Sequence, residues 1–244
     1  MNAISRILAV GAMIVSASTS QAGIFSEFQP DAAPGVDPST QLFEISGMAG
    51  LSFSGSILSI DSDPLQAGRI ERVLDVSGAF DANGLLVVEV ADLQNPSFTV
   101  ALVEGFTGML GDDLDSDNDG LLDDLASLGT IHDALGIADS IDDESFLYGT
   151  QLGGQDFSFT GGEPGLVFRD ASVGDWFAVS LPADGTILDI NGNDVSGQRN
   201  FAGGDPLVSS FGVINPGAVA VPEPSTLTFF ASMILVTGTR RRRS

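Results

Sequence analysis

Leu51-Ser52-Phe53-Ser54-Gly55-Ser56-Ile57 alternates apolar and small polar residues with a period of two. That period sets Leu51, Phe53 and Ile57 on one face of a β-strand. The phase slips at Leu58 and Ile60 continues the shifted pattern, so a β-bulge is expected there. Working outward, residues 72–80 and 85–90 read as the next two strands. Asp81-Ala82-Asn83-Gly84 lies between them, and Asn and Gly tolerate the positive φ of a tight turn, which predicts a hairpin. A further strand over 97–103 follows Asn95-Pro96. In the second half, strands are expected over 145–148, 156–160, 165–168, 176–180, 186–190 and 207–213, separated by Gly-Gly, Pro-Ala-Asp-Gly and Asn-Gly clusters. Many short strands in a chain with 30 Gly predict an all-β sandwich with Gly-rich loops. One short helix is expected over 121–128, where Leu121, Leu122, Leu125 and Leu128 fall near helical spacing.

The charge is lopsided. None of the nine basic residues is Lys, and five of them (Arg6 and Arg240 to Arg243) lie in the two ends. Of 33 acidic residues only Glu223 lies there, so the net charge of −24 deepens to −28 for the body, four Arg against 32 carboxylates. Such a surface repels nucleic-acid phosphates and anionic lipid and attracts divalent cations. The chain is 43% hydrophobic with 16 Phe, ample for a buried core. Cys is absent, which a domain of this size tolerates in an oxidising compartment because its core is large enough without disulfides.

Asp115-Ser116-Asp117-Asn118-Asp119-Gly120-Leu121-Leu122-Asp123 is the sharpest internal motif. Alternate carboxylates at Asp115, Asp117 and Asp119 can converge on a hard cation. Gly120 permits the sharp turn, the Leu121 carbonyl supplies another oxygen, and Asp123 falls at the ninth loop position. The pattern resembles EF-hand-like loops and, more closely, the thrombospondin type 3 repeat. It departs from the EF-hand at the twelfth position, where Ala126 replaces the bidentate Glu. The resemblance implies Ca²⁺ as the cofactor, bound in the millimolar range of extracellular modules. Asp189-Ile190-Asn191-Gly192-Asn193-Asp194 has its Gly too early for such a loop and reads as a plain turn.

Catalytic residues are not expected. His132 is the single histidine, so a multi-His zinc site is excluded and a Ser-His-Asp set would have to use it. No Gly-x-Ser-x-Gly elbow occurs. The alternative is a secreted hydrolase acting on polysaccharide through paired carboxylates, which would require a cleft lined by such a pair and by Trp176 or Tyr148.

The ends are targeting segments. Residues 1–22 carry Arg6, the apolar run Ile7 to Val15 and then Ser20-Gln21-Ala22, so signal-peptidase cleavage is expected between Ala22 and Gly23. The organisation expected is a signal peptide (1–22), a β-rich exported domain (23–216), a linker (217–224), and an apolar segment with a basic stop (225–244). Each end contributes a hydrophobic helix. From Ser225 to Thr239 a helix would run about 22 Å, short of the ~30 Å hydrocarbon core. The tail Pro222-Glu223-Pro224, apolar segment, then Arg240, Arg241, Arg242 and Arg243 resembles the PEP-CTERM sorting signal. That resemblance implies a Gram-negative bacterium, transient residence in the inner membrane, processing by an exosortase, and delivery to the cell surface or extracellular matrix. Extracellular polysaccharide is the ligand class that setting suggests. The start of the body, Ile24-Phe25-Ser26-Glu27-Phe28-Gln29-Pro30 followed by Phe43-Glu44-Ile45, resembles the opening of the lamin-tail domain and implies an immunoglobulin-like sandwich. It departs at Ser46-Gly47, where that family usually has Asn.

Overall fold

The computed structural model describes residues 23–30, 39–93, 97–180 and 185–220. Ala22, Pro222-Glu223-Pro224, Arg240 to Arg243 and both expected terminal hydrophobic helices lie outside the described residues. Among the described residues no helix is long and apolar enough to cross a membrane.

Two sheets carry the fold, which is all-β. The strands of the first are β1 (Ile24–Phe28), β2 (Thr40–Ser46), β5 (Leu85–Ala91), β9 (Leu166–Arg169), β10 (Trp176–Val179) and β11 (Ile187–Asp189), in the order β11-β10-β9-β1-β2-β5. The second sheet contains β3 (Ser52–Asp61), β4 (Ile70–Ala79), β6 (Phe98–Glu104), β7 (Thr130–Ile137) and β8 (Gln155–Asp156), in the order β4-β3-β6-β7-β8. All the pairings are antiparallel except β7 with β8. Between the sheets lies one apolar cluster, drawing Phe25, Phe28, Phe43 and Trp176 from the first and Phe53, Ile57, Phe98 and Leu135 from the second. Each such side chain, fully buried, contributes on the order of 2 kcal/mol.

Both sheets are also covered on their outer faces. Leu58, Ile60, Ala101 and Val103 point away from the shared core into a second cluster, closed over by Leu114, Leu128, Tyr148 and Leu152. This explains the phase slip at Leu58. The alternation never breaks in β3: Phe53 and Ile57 face one core and Leu58 and Ile60 the other, while Ser52 and Ser54 on that second face are exposed. The expected bulge exists, but it lies in β4. Ser59 pairs with Arg72 and Ile60 with Ile70, so Glu71 is the extra residue. On the first sheet, a ribbon of β12 (Arg199–Ala202) and β13 (Gly217–Ala220) covers β9 to β11. There Phe201 sets its ring edge-on against Phe168 and Phe177. Strand β13 extends the ordered body to Ala220, four residues into the stretch expected as linker.

Five other expectations change; the strand expected over 156–160 shrinks to Gln155–Asp156. Asp81-Ala82-Asn83-Gly84 is a tight turn, with the Asp81 carboxylate accepting from the Asn83 and Leu85 amides and Gly84 at φ +80°. Yet β4 pairs with β3 and β5 with β2, so the turn carries the chain from one sheet to the other and makes no hairpin. Its register is set by docking, since the Gly47 amide donates to the Gly84 carbonyl at 2.8 Å. The helix expected over 121–128 shrinks to one 3₁₀ turn, Ala126–Leu128, because Leu128 turns into the second core while Leu121 stays exposed. Residues 145–148 are not a strand: Ile141–Phe146 forms a 3₁₀ helix started by the Ser140 hydroxyl and acidic residues in its first turn. Residues 207–213 form no ladder and cross the first sheet as a strap.

Candidate functional site

The Asp-rich loop sits on the outer face of the second sheet. Asp115, wholly buried, is its hub. One carboxylate oxygen accepts the Asp119 amide, and the other accepts the Gly120 amide and the Tyr148 hydroxyl at 2.7 Å. The turn needs Asn118 at φ 52° and Gly120 at φ +84°. A Cβ on Gly120 would also lie 2.5 Å from the Ser145 carbonyl oxygen, so only glycine fits. Asp123 closes the loop by accepting the Ser116 amide and hydroxyl. Gln151 pins it to the body, donating to the Gly120 carbonyl and accepting from the Leu122 amide.

Of the five expected metal-ligating residues, three converge. Asp115, Asp117 and Asp123 each bring one oxygen within 4.8 Å of the others. Asp119 does not join them; its carboxylate accepts the Leu121 amide and caps its own turn. The Leu121 side chain is exposed. The field in the loop is strongly negative. Repulsion from Asp119 first, and from Asp123 and Asp115 behind it, pushes the Asp117 carboxyl up, whereas the two bonds from Ser116 hold Asp123 down. A hard divalent cation would relieve that repulsion, and three carboxylate oxygens suit one, although they do not by themselves choose calcium.

Sequence reasoning missed the supports of this loop, Tyr148 and Gln151, because they come from 25 or more residues downstream. It also missed a clamp between the sheets. The Arg169 guanidinium on β9 lies 2.7 Å from Asp133 on β7, donates through Nε to the Phe25 carbonyl, and stacks over Trp176 at 4.6 Å. Asp133 accepts the Phe25 amide as well. Burial pushes the Asp133 carboxyl up against the pull of Arg169. The available signal was a scarce cation following the apolar Leu166-Val167-Phe168. His132, beside Asp133, finds a different partner: its Nε2 is 3.3 Å from Glu104, and its ring meets the Phe53 edge.

A cleft of about 340 Å³ opens on the outer face of the first sheet, beside the strap. Glu44 and Asp170 line it, while Trp176 and Tyr148 do not. Glu44 accepts the Ser26 hydroxyl and the Gly212 amide. Asp170 accepts the amides of Ser172, Val173 and Ala218. Asp189 accepts the Asn191 and Asn193 amides, so the 189–194 run is a turn. No protein-family model, curated protein or solved structure matches the chain.

Proposed function

We propose that the chain is an exported, exosortase-processed protein of the cell surface or extracellular matrix, whose body is a non-catalytic, calcium-stabilised module for structure or interaction. The address rests on the succession in sequence of Pro222-Glu223-Pro224, an apolar segment and Arg240 to Arg243, together with a signal-peptide pattern over residues 1–22. The role of the body rests on one observation. The carboxylates of the cleft and of the clamp between the sheets are engaged by amides, hydroxyls or a guanidinium of this same chain. These groups position strands and loops. An immunoglobulin-like, lamin-tail-like sandwich is the finer fold proposed, supported by the pairing of Ile24–Phe28 with Thr40–Ser46, the two segments that carry the resemblance.

Two measurements test this. Millimolar calcium is expected to raise the melting temperature, and Asp117→Ala with Asp119→Ala is expected to abolish the rise; an unchanged wild-type melting curve sinks the metal. Mass spectrometry of protein recovered from producing cells is expected to place the mature C-terminus near Pro224. Recovery of chains ending at Ser244, with Arg243 intact, counts against processing.

A further inference from the structure

Glu27 and Glu44 face each other across the β1–β2 pair, both wholly buried, at a bulge between Phe25 and Glu27 that turns Glu27 outward under the strap. The strap, residues 203–216, is the connection between β12 and β13. It is tied down at Ser210, Gly212 and Asn215. The Ser210 amide donates to one Glu27 oxygen at 2.7 Å, and the Gly212 amide to Glu44 at 2.7 Å. The Asn215 side-chain nitrogen donates to the carbonyls of Ser26 and Arg169, at 2.8 and 3.0 Å. Those two carbonyls fix which way the amide faces, so the Asn215 oxygen points at Ser210.

The proton count then fails for an ionised Glu27. The Ser210 hydroxyl oxygen lies 2.6 Å from the second Glu27 oxygen and 2.8 Å from the Asn215 oxygen. Both are acceptors if Glu27 is a carboxylate, and a hydroxyl has one proton to give. If Glu27 keeps its own proton the chain closes: the Glu27 O–H donates to Ser210, and the Ser210 O–H donates to Asn215. We propose that Glu27 is held as a neutral carboxylic acid whose proton latches the 203–216 strap onto the sheet, so that the strap is closed in mildly acidic medium and released in alkaline medium.

The surroundings fit. Burial, the largest cause, pushes the Glu27 carboxyl up to about 7 against the bonds from Ser210, and the charge of Glu44 adds to the rise. Burial raises Glu44 as well. From β9, the neighbour on the other side, Glu27 faces Phe168; the next residue, Arg169, turns its guanidinium to Asp133 and the Phe25 carbonyl. On the strap, Ser210, Gly212 and Asn215 are uncharged, and Asp205 at its start accepts the Leu207 amide. A carboxyl raised in the folded state stabilises it fully below the unfolded pKa and loses that contribution as pH rises through the folded pKa. Closure is therefore complete at and below pH 4.5 and lost as pH rises through about 7.

The test is a ¹³C NMR titration of glutamate side-chain carboxyls in the full chain, with amide hydrogen exchange of Ser210 and Gly212 corrected for intrinsic rate. One glutamate resonance is expected to titrate near neutrality and to be missing from Glu27→Gln. Protection at both amides is expected to fall at least tenfold between pH 6 and 8.5 in the wild type and to stay flat in the variant, whose amide nitrogen still donates to Ser210. The wild type alone decides if the variant does not fold. A set of glutamate titrations confined to the ordinary carboxylate range, or strap protection independent of pH, overturns the latch.

Discussion

Replacing Arg169 by alanine is expected to be the most damaging single substitution in the charged set, lowering stability by about 3 kcal/mol at pH 8. The loss has three sources. Asp133 keeps its charge in a site that is 8% exposed, with no cation opposite it. The Phe25 carbonyl loses a donor, and the Trp176 face loses the planar group stacked on it. Because Asp133 belongs to one sheet and Phe25, Arg169 and Trp176 to the other, the damage falls on the contact between the two layers. For a domain of this size the melting temperature should drop by roughly 10 °C. The loss should shrink in acid. Without Arg169 the Asp133 carboxyl rises further above its unfolded value, and protonation removes the buried charge as pH falls. Chemical denaturation at pH 8 and pH 5 checks both statements. A variant within 0.5 kcal/mol of the wild type at pH 8, on the scale of ordinary surface substitutions, would mean that the pair holds nothing.

Asp115→Ala is expected to come next, at about 3 kcal/mol, and to separate the two roles of the Asp-rich loop. The Asp115 oxygens take up the Tyr148 hydroxyl and the Asp119 and Gly120 amides. Tyr148 is wholly buried, so its hydroxyl would lose its partner away from water, at about 1–3 kcal/mol for such a group. Tyr148→Phe in the same background should recover some of the loss by deleting the orphaned donor. Asp117→Ala, at an exposed position, should leave the metal-free protein nearly as stable while weakening the response to calcium. Thermal melts of the three variants with and without calcium give the comparison. Equal destabilisation by Asp115→Ala and Asp117→Ala without metal would refute the hub.

Much of this was written locally in the chain. The alternation of Leu51 to Ile57 identified β3, and Asn83-Gly84 identified a tight turn. Of the carboxylates expected in the cation loop, Asp115, Asp117 and Asp123 lie close together because the turn folds back on itself, while Asp119 caps its own turn. What failed depended on partners distant in sequence. Period-two patterning reports which residues are buried, and the second half of β3 is buried on both faces, so a second core looks like a slip in phase. A tight turn looks the same whether its flanking strands pair with each other or with β3 and β2. Leu121, Leu122, Leu125 and Leu128 have helical spacing, yet Gly120 at positive φ and the Asp124 carboxylate bound to the Ala126 amide break the backbone there. Glu27 and Glu44 sit among phenylalanines, and nothing near them in sequence announces a strap arriving from residue 210.

The ribbon of β12 and β13 has a mechanical consequence. Arg199 and Ala220 form its end rung, and the expected processing point near Pro224 lies four residues beyond Ala220, a reach of at most about 14 Å. If the proposed processing leaves the protein held by that end, only this short stretch of chain would lie between the tether and the fold. Tension enters at the open end of a two-stranded ribbon, where the rungs give way in succession, as in a zipper, and do not share the load. After four rungs such a pull would reach the Ser210 and Asn215 fastenings of the strap, so under that load this ribbon would yield first.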